Sequence, residues 1–346
     1  MKAPDILSLA RENVRALTPY SSARDDFNGT AAVFLDANEN PFPSDYNRYP
    51  DPHQHLLKKA VADLKNVDAG QVFLGNGSDE AIDLLFRVFC EPGRDEVVIP
   101  RPTYGMYNVS ASINNIRVIA PILTPAFELD AAVITESITP ATKLVFLCSP
   151  NNPSGNLLDI HEIELVLNSF PGIVIIDEAY IDFAVTPGWV CRLGEFPNLV
   201  VLQTFSKAWG LAGLRLGMCF AHPVVVGLLD KIKPPYNINA FTQHAVQHAI
   251  TTGQARKNAW VEEIKHERNW LVQQLKGLPL ARQIFSSDAN FLLVQMTDAK
   301  SIYERLVQEG IIVRDRSNVI LCENCLRITI GTHEENNRLI KVLKQL

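Results

Sequence analysis

The sequence predicts an α/β protein: a large domain with a mostly parallel sheet covered by helices, and a smaller C-terminal α/β domain behind it. Three observations point there. The chain has 346 residues, 47% of them apolar and 20% charged, which is ordinary globular usage and long enough for two domains. From about residue 56 onward, short apolar strands alternate with helical segments. The suggestive polar motifs each follow the carboxyl end of such a strand, where open α/β sheets bind ligands.

Taken in order, residues 4–18 place Ile6, Leu9, Ala10, Val14 and Leu17 on one stripe, predicting an amphipathic opening helix stopped by Thr18-Pro19-Tyr20. A short strand is expected at 33–35, and two prolines keep ANENPFP irregular. Strands follow at 72–74, 96–99, 116–119, 143–148 and 173–176, ending respectively at GNGSDE, RPTY, a segment leading to a helix at 130–137, SPNNPSG and DEAY. Strands at 199–204 and 214–220 flank a Ser-Lys turn. PPYNINAF then interrupts the chain, and 241–276 reads as one long helix. Further strands are expected near 291–295, 311–313 and 327–330, with helices at 299–309 and 333–346, the last opened by a Thr332/Glu335 capping box. The expected divisions are 1–30 as an N-terminal arm, 31–240 as the large domain and 241–346 as the small one.

The net charge of −6, with no basic run longer than Lys58-Lys59, argues against nucleic-acid binding. No apolar run approaches the ~18 to 20 residues that span a bilayer, so no membrane association is expected. Charges at Lys2, Asp5, Arg11, Glu12 and Arg15 interrupt any signal-peptide core, making the cytoplasm the default location. Of six cysteines, Cys90, Cys148 and Cys219 sit in apolar runs and read as core residues. Cys322 and Cys325 form a lone CxxC without a second ligand pair, so chance spacing at a strand start is favoured over a metal site.

The chemistry centres on Thr204-Phe205-Ser206-Lys207. A lysine at a strand-to-loop junction among apolar neighbours is open to desolvation, which lowers its pKa and frees the amine as a nucleophile. Most lysines are solvated surface charges; here company strengthens the reading. Hydroxyls at Thr204 and Ser206 and the cation of Arg215 suit a phosphate monoester. In GNGSDE, Gly75 and Gly77 permit close backbone approach, and Ser78 opens a helix whose free N–H groups face an anion. That turn lacks the third glycine of a dinucleotide fingerprint and the Lys-Ser/Thr of a nucleotide P-loop. Asp177, ending its strand, is placed to pair with a protonated ring nitrogen, although alone it reads more simply as a loop acid or cap. Tyr180 and the amide of Asn152 suit a ring hydroxyl, and Tyr104 suits stacking on an aromatic ring. Together these groups describe a site for pyridoxal phosphate.

The order NNPSG, DEAY, SKAWGLAGLRLG and LRITIG resembles the class I/II aminotransferases among fold-type I pyridoxal-phosphate enzymes, over nearly the whole chain. Four segments, NVRALTPY at 13–20, LDANENPFP at 35–43, RYPDP at 48–52 and GIIVRD at 310–315, are similar to the members that act on histidinol phosphate in histidine biosynthesis. The resemblance implies that Lys207 is the Schiff-base lysine and proton shuttle and that Asp177 holds the ring nitrogen. It implies that Asn152 and Tyr180 bind the ring hydroxyl, and that Tyr104 stacks on the ring. Gly77, Ser78, Thr204, Ser206 and Arg215 would hold the phosphate, with Tyr49 reaching the phosphate of a neighbouring subunit in a homodimer with shared sites. Tyr20, Asn38, Arg314 and Arg327 would contact substrate. Asp36 and Asp79 receive no role.

The implied substrates are histidinol phosphate and glutamate or 2-oxoglutarate. One site must then accept a phosphate and a dicarboxylate in turn, and the guanidinium forks of Arg314 and Arg327 match both. Three other readings are an aminotransferase for aromatic amino acids, a phosphothreonine decarboxylase on the same scaffold, and a non-catalytic cofactor-binding module. The presence together of Lys207, Asp177 and both arginines favours a working enzyme over the module.

Overall fold

A computed structural model describes residues 5–21 and 31–346 of the chain. Strands β1 (Val72–Asn76), β2 (Glu96–Val98), β3 (Arg117–Ile119), β4 (Thr142–Cys148), β5 (Ile173–Asp177), β6 (Leu199–Thr204) and β7 (Leu216–Ala221) form one sheet in the order β1-β7-β6-β5-β4-β2-β3. From β6 to β3 neighbours run parallel, whereas β7 is antiparallel to both β6 and β1.

The strands are apolar along their length because both faces are covered. Val145, Leu147, Val174 and Ile176 point into one core, while Leu144, Phe146, Ile173 and Ile175 point into the other. The first core is closed by α3 (His55–Lys65), α6 (Ala131–Glu136), α7 (Ile160–Ser169) and α9 (Ala240–Thr252). The second is closed by α4 (Gly77–Phe89), α5 (Met106–Ile113) and α8 (Pro223–Ile232), together with the N-terminal helices α1 (Ile6–Leu9) and α2 (Glu12–Ala16). Asp130 and Asp159 cap α6 and α7 by accepting from the free N–H groups of the first turn.

A second, antiparallel sheet has the order β10-β11-β9-β8, made of β8 (Ala281–Ile284), β9 (Phe291–Met296), β10 (Arg314–Asp315) and β11 (Cys325–Thr329). Its own core joins α10 (Gln254–Lys276), α11 (Ala299–Gln308) and α12 (His333–Leu343). The Thr332/Glu335 capping box opens α12 as expected.

Four local expectations are corrected. The helix expected over 4–18 is α1 and α2, separated by extended backbone at Ala10 and Arg11. There the Arg11 N–H donates to Val88 O at 2.9 Å and its guanidinium pairs with Glu91, so docking against the end of α4 outweighs helix continuation. Residues 33–35 are not a strand: Leu35 is 89% exposed and no neighbouring strand among the described residues pairs with it. The helix expected over 241–276 breaks at Gly253 into α9 and α10; a β-carbon there would press on Ala249 O. The strand expected at 311–313 is instead Arg314–Asp315, the part of that segment that pairs with β11, and β8 was not anticipated.

Cys90, Cys148 and Cys219 are buried core residues. Cys322 and Cys325 are also buried, and burial pushes both thiols up to about 12. Among the described residues, no helix is long and apolar enough to cross a membrane.

Candidate active site

The carboxyl ends of β1, β4, β5 and β6 open into one cavity of about 140 Å³. Its walls bring together Gly77, Ser78, Tyr104, Asn152, Asp177, Tyr180, Thr204, Ser206, Lys207 and Arg215, residues that lie far apart in sequence.

One end is a cup for an anion. After β6 the chain turns through Ser206-Lys207 and enters β7 just after Arg215, which holds a left-handed backbone (φ 52°). Gly77 opens α4 with φ +70°, and a β-carbon there would lie 2.8 Å from Arg215 Nη2. A β-carbon on Gly217 would collide with the backbone of Gly77 and Ser78, so β7 and the first turn of α4 touch directly. The two glycines thus let the helix N-terminus and the guanidinium converge. Thr204 Oγ1 accepts from the Ser206 N–H at 3.1 Å and lies 3.0 Å from Ser206 Oγ, fixing that hydroxyl.

Asp79 organises the same end. Its Oδ1 accepts from the Tyr104 hydroxyl at 3.1 Å, and its Oδ2 lies 3.4 Å from Arg215 Nη2. An acid in the first turn of α4 also complements the helix dipole. The signal for this role was present in GNGSDE but gave no partner.

The other end holds a buried carboxylate. Asp177 Oδ2 accepts from the Tyr107 hydroxyl at 2.6 Å and Oδ1 from the Ala179 N–H at 3.1 Å. Burial raises its pKa to about 6, although both hydrogen bonds oppose the rise. Neighbouring Glu178 points away from the cavity, accepts from Trp189 N–H and Gln203 Nε2, and is raised by burial to about 7.

Between the two ends stands Lys207. Burial, with the positive charges of Arg327 and Arg215, lowers its pKa below the ordinary lysine value. Its Nζ lies 5.6 Å from the centre of the Tyr180 ring. Asn152 Nδ2 is 3.5 Å from the Tyr180 hydroxyl, and Asn152 Oδ1 accepts from Arg327 Nη1 at 2.5 Å. Arg327 also packs over the Phe291 ring, so β9 and β11 of the second sheet carry their side chains to the edge of the cavity.

The remaining expected residues are placed differently. Arg314 is the cross-strand partner of Arg327. Tyr49 stacks on Tyr236 with centroids 4.5 Å apart and lines a separate cavity with Asn38. Tyr20 is 74% exposed. Within one chain, then, Tyr20, Asn38 and Tyr49 do not join the Lys207 cavity.

The donor set fits pyridoxal phosphate. An anion cup sits at one end and a buried carboxylate for a protonated ring nitrogen at the other, with a phenol and an amide at the side and a pKa-lowered amine between. The matching family model is that of aminotransferase class I and II, over residues 28–343. The chain belongs to this family of pyridoxal-phosphate-dependent aminotransferases. It is 52% identical over 341 residues to a histidinol-phosphate aminotransferase of Cytophaga hutchinsonii, covering 97% of this chain and 98% of the relative. It is 54% identical to another of that name from Parabacteroides distasonis, covering 99% of each. A crystal structure of the histidinol-phosphate aminotransferase from Clostridium acetobutylicum superposes with a TM-score of 0.80 at 24% identity, covering 86% of this chain and 90% of that one, and shares the fold.

Proposed function

We propose that this chain transfers the amino group between histidinol phosphate and 2-oxoglutarate, giving imidazole acetol phosphate and glutamate, and in reverse serves histidine biosynthesis. The observation that carries the reading is the Arg327–Asn152 contact, which sets a guanidinium at the edge of the Lys207 cavity. Relatives of that activity at about half identity over nearly the full length support it.

The bound pyridoxal phosphate supplies an electron sink for the charge left when the substrate C–H bond breaks. The chain's own residues do the rest. Gly77, Ser78, Ser206 and Arg215 anchor the phosphate, and Thr204 orients Ser206. Asp177 holds a proton on the ring nitrogen, which is what makes the ring an acceptor. Tyr180 and Asn152 orient the ring through its hydroxyl, and Tyr104 flanks it. Lys207 would hold the cofactor through Nζ and, once the substrate amine has displaced it, would take the proton from the carbon that bears that amine. Its lowered pKa suits both tasks, since only the neutral amine has a free electron pair. Arg327, with its cross-strand partner Arg314, binds the substrate anion; Tyr20 and Asn38, placed outside their own chain's cavity, are given no contact with it.

The working unit is a homodimer. Tyr49, remote from its own chain's cavity, reaches the cofactor phosphate of the neighbouring subunit. Residues 31–240, with α9 packed into their first core, form the cofactor-binding domain, the rest of 241–346 the small domain, and 1–30 an arm, of which 1–4 and 22–30 lie outside the described residues. The enzyme works in the cytoplasm.

Donor competition tests the function. With 2-oxoglutarate as acceptor, kcat/KM for histidinol phosphate is expected to exceed that for phenylalanine by orders of magnitude. A preference for phenylalanine would move the function to aromatic amino acids, and carbon dioxide release from phosphothreonine would make the chain a decarboxylase.

A further inference from the structure

The hairpin that carries Arg327 carries more positive charge than a carboxylate needs. Arg314 stands opposite Arg327 in the β10–β11 register. The ladder continues one step beyond β10, because the Arg316 N–H donates to Cys325 O at 2.9 Å. Side chains two residues apart on a strand emerge on the same face, so Arg316 joins Arg314 and Arg327 there. The intervening Asp315 turns away and accepts from the N–H and hydroxyl of Ser317 at 2.8 and 2.6 Å.

Like charges opposed across a ladder are destabilising, so three guanidinium groups on one face need an anion to offset them. Arg316 Nε is buried and has no hydrogen-bond partner among the described residues. Burial and then the charges of Arg327 and Arg314 lower the Arg316 pKa, and Tyr180, which lines the cavity, acts on the same group. A carboxylate presents two oxygens and one charge, which two arginines satisfy. A phosphate monoester presents three terminal oxygens and close to two charges at neutral pH.

We propose that Arg316 is a specificity-determining residue that favours the phosphate-bearing substrate over glutamate at the shared anion site. This rests on the function proposed above. It identifies a third arginine as the group that distinguishes the two partners of the exchange.

The test uses the holoenzyme and Arg316→Gln, which keeps a polar, shorter side chain and removes the guanidinium charge. At pH 8 the KM for histidinol phosphate should rise roughly tenfold or more, the loss expected for a charge-assisted hydrogen bond. KM for glutamate should rise far less, and kcat should hold to within a few-fold. At pH 5.5, where the phosphate has lost most of its second charge, the histidinol phosphate penalty should shrink. Inhibition by inorganic phosphate should weaken in parallel, and Arg316→Lys should recover part of the loss. Equal rises for both substrates would mark Arg316 as structural and overturn the proposal, as would unchanged KM values. Wild-type enzyme that turns over histidinol phosphate alongside an unaffected Arg316→Gln leaves the functional reading intact and removes this inference alone. Wild-type enzyme inert towards histidinol phosphate removes both.

Discussion

The Tyr107 hydroxyl donates to Asp177 Oδ2 at 2.6 Å, and neither side chain is open to solvent. Burial alone would push the carboxyl toward its neutral form, in which it could not hold a proton on the ring nitrogen. Tyr107 is the largest influence acting the other way. Tyr107→Phe removes the donor while keeping the ring that stacks on Phe146. Asp177 in the apoprotein, near 6 in the wild type, should then titrate at higher pH. Cofactor affinity, followed by fluorescence titration of the apoprotein, should fall more at pH 6 than at pH 8. A loss of equal size at both pH values would show that the hydrogen bond does not tune the carboxylate.

Glu178 lies next to Asp177 in sequence and serves a different end. Its pKa, raised by burial to about 7, exceeds the unfolded value of 4.5. The folded state therefore binds the proton more tightly. This contribution to stability is full below pH 4.5 and disappears as pH rises through about 7. Glu178→Gln should stabilise the apoprotein at pH 8 by an amount on the order of 1–3 kcal/mol and bring no gain at pH 5. Gln203 can accommodate the change by rotating its amide, since its Oε1 has no partner at present. Thermal unfolding at the two pH values checks this; destabilisation at pH 8 would show that the ionised carboxylate is well compensated.

Arg327→Ala should impair both half-reactions if, as proposed, one guanidinium receives the phosphate of one substrate and a carboxylate of the other. It also leaves Asn152 Oδ1 without its donor, so the ring contact through Tyr180 should loosen. Single-turnover rates with histidinol phosphate and with glutamate should each drop at least a hundredfold. A defect confined to one substrate would show that the two anions bind in different places.

Much of the Lys207 cavity was legible because each of its groups follows the carboxyl end of a strand or opens the next element. Lys207, Asp177, Asn152 and Gly77 occupy such positions in the linear sequence. Tyr107 was not legible: it sits on α5 one turn beyond Tyr104, and only packing of α5 against the sheet turns its hydroxyl under Asp177. Arg316 was missed because the ladder continues past the end of β10, which no local pattern announces. The break at Gly253 was signalled by Thr251-Thr252-Gly253, all weak helix formers, but the helical pattern resumes beyond it. Residues 33–35 have strand-like composition, yet a strand needs a neighbour to hydrogen-bond with, and composition says nothing about whether one is present. Tyr49 carries no local signal for a role in the cavity, because the role proposed for it lies across a subunit boundary.

Lys207 and its surroundings are proposed to move an amino group from histidinol phosphate onto the bound cofactor. The most direct measurement is the visible absorption of the purified holoenzyme on mixing with histidinol phosphate in the absence of any keto acid. The visible band should bleach to the absorption of the aminated cofactor and return on adding 2-oxoglutarate. Lys207→Ala, which keeps the cup and Asp177, should bind cofactor yet convert it slower by orders of magnitude. A wild-type band that persists with histidinol phosphate, or a Lys207→Ala variant that bleaches at the wild-type rate, would contradict the account.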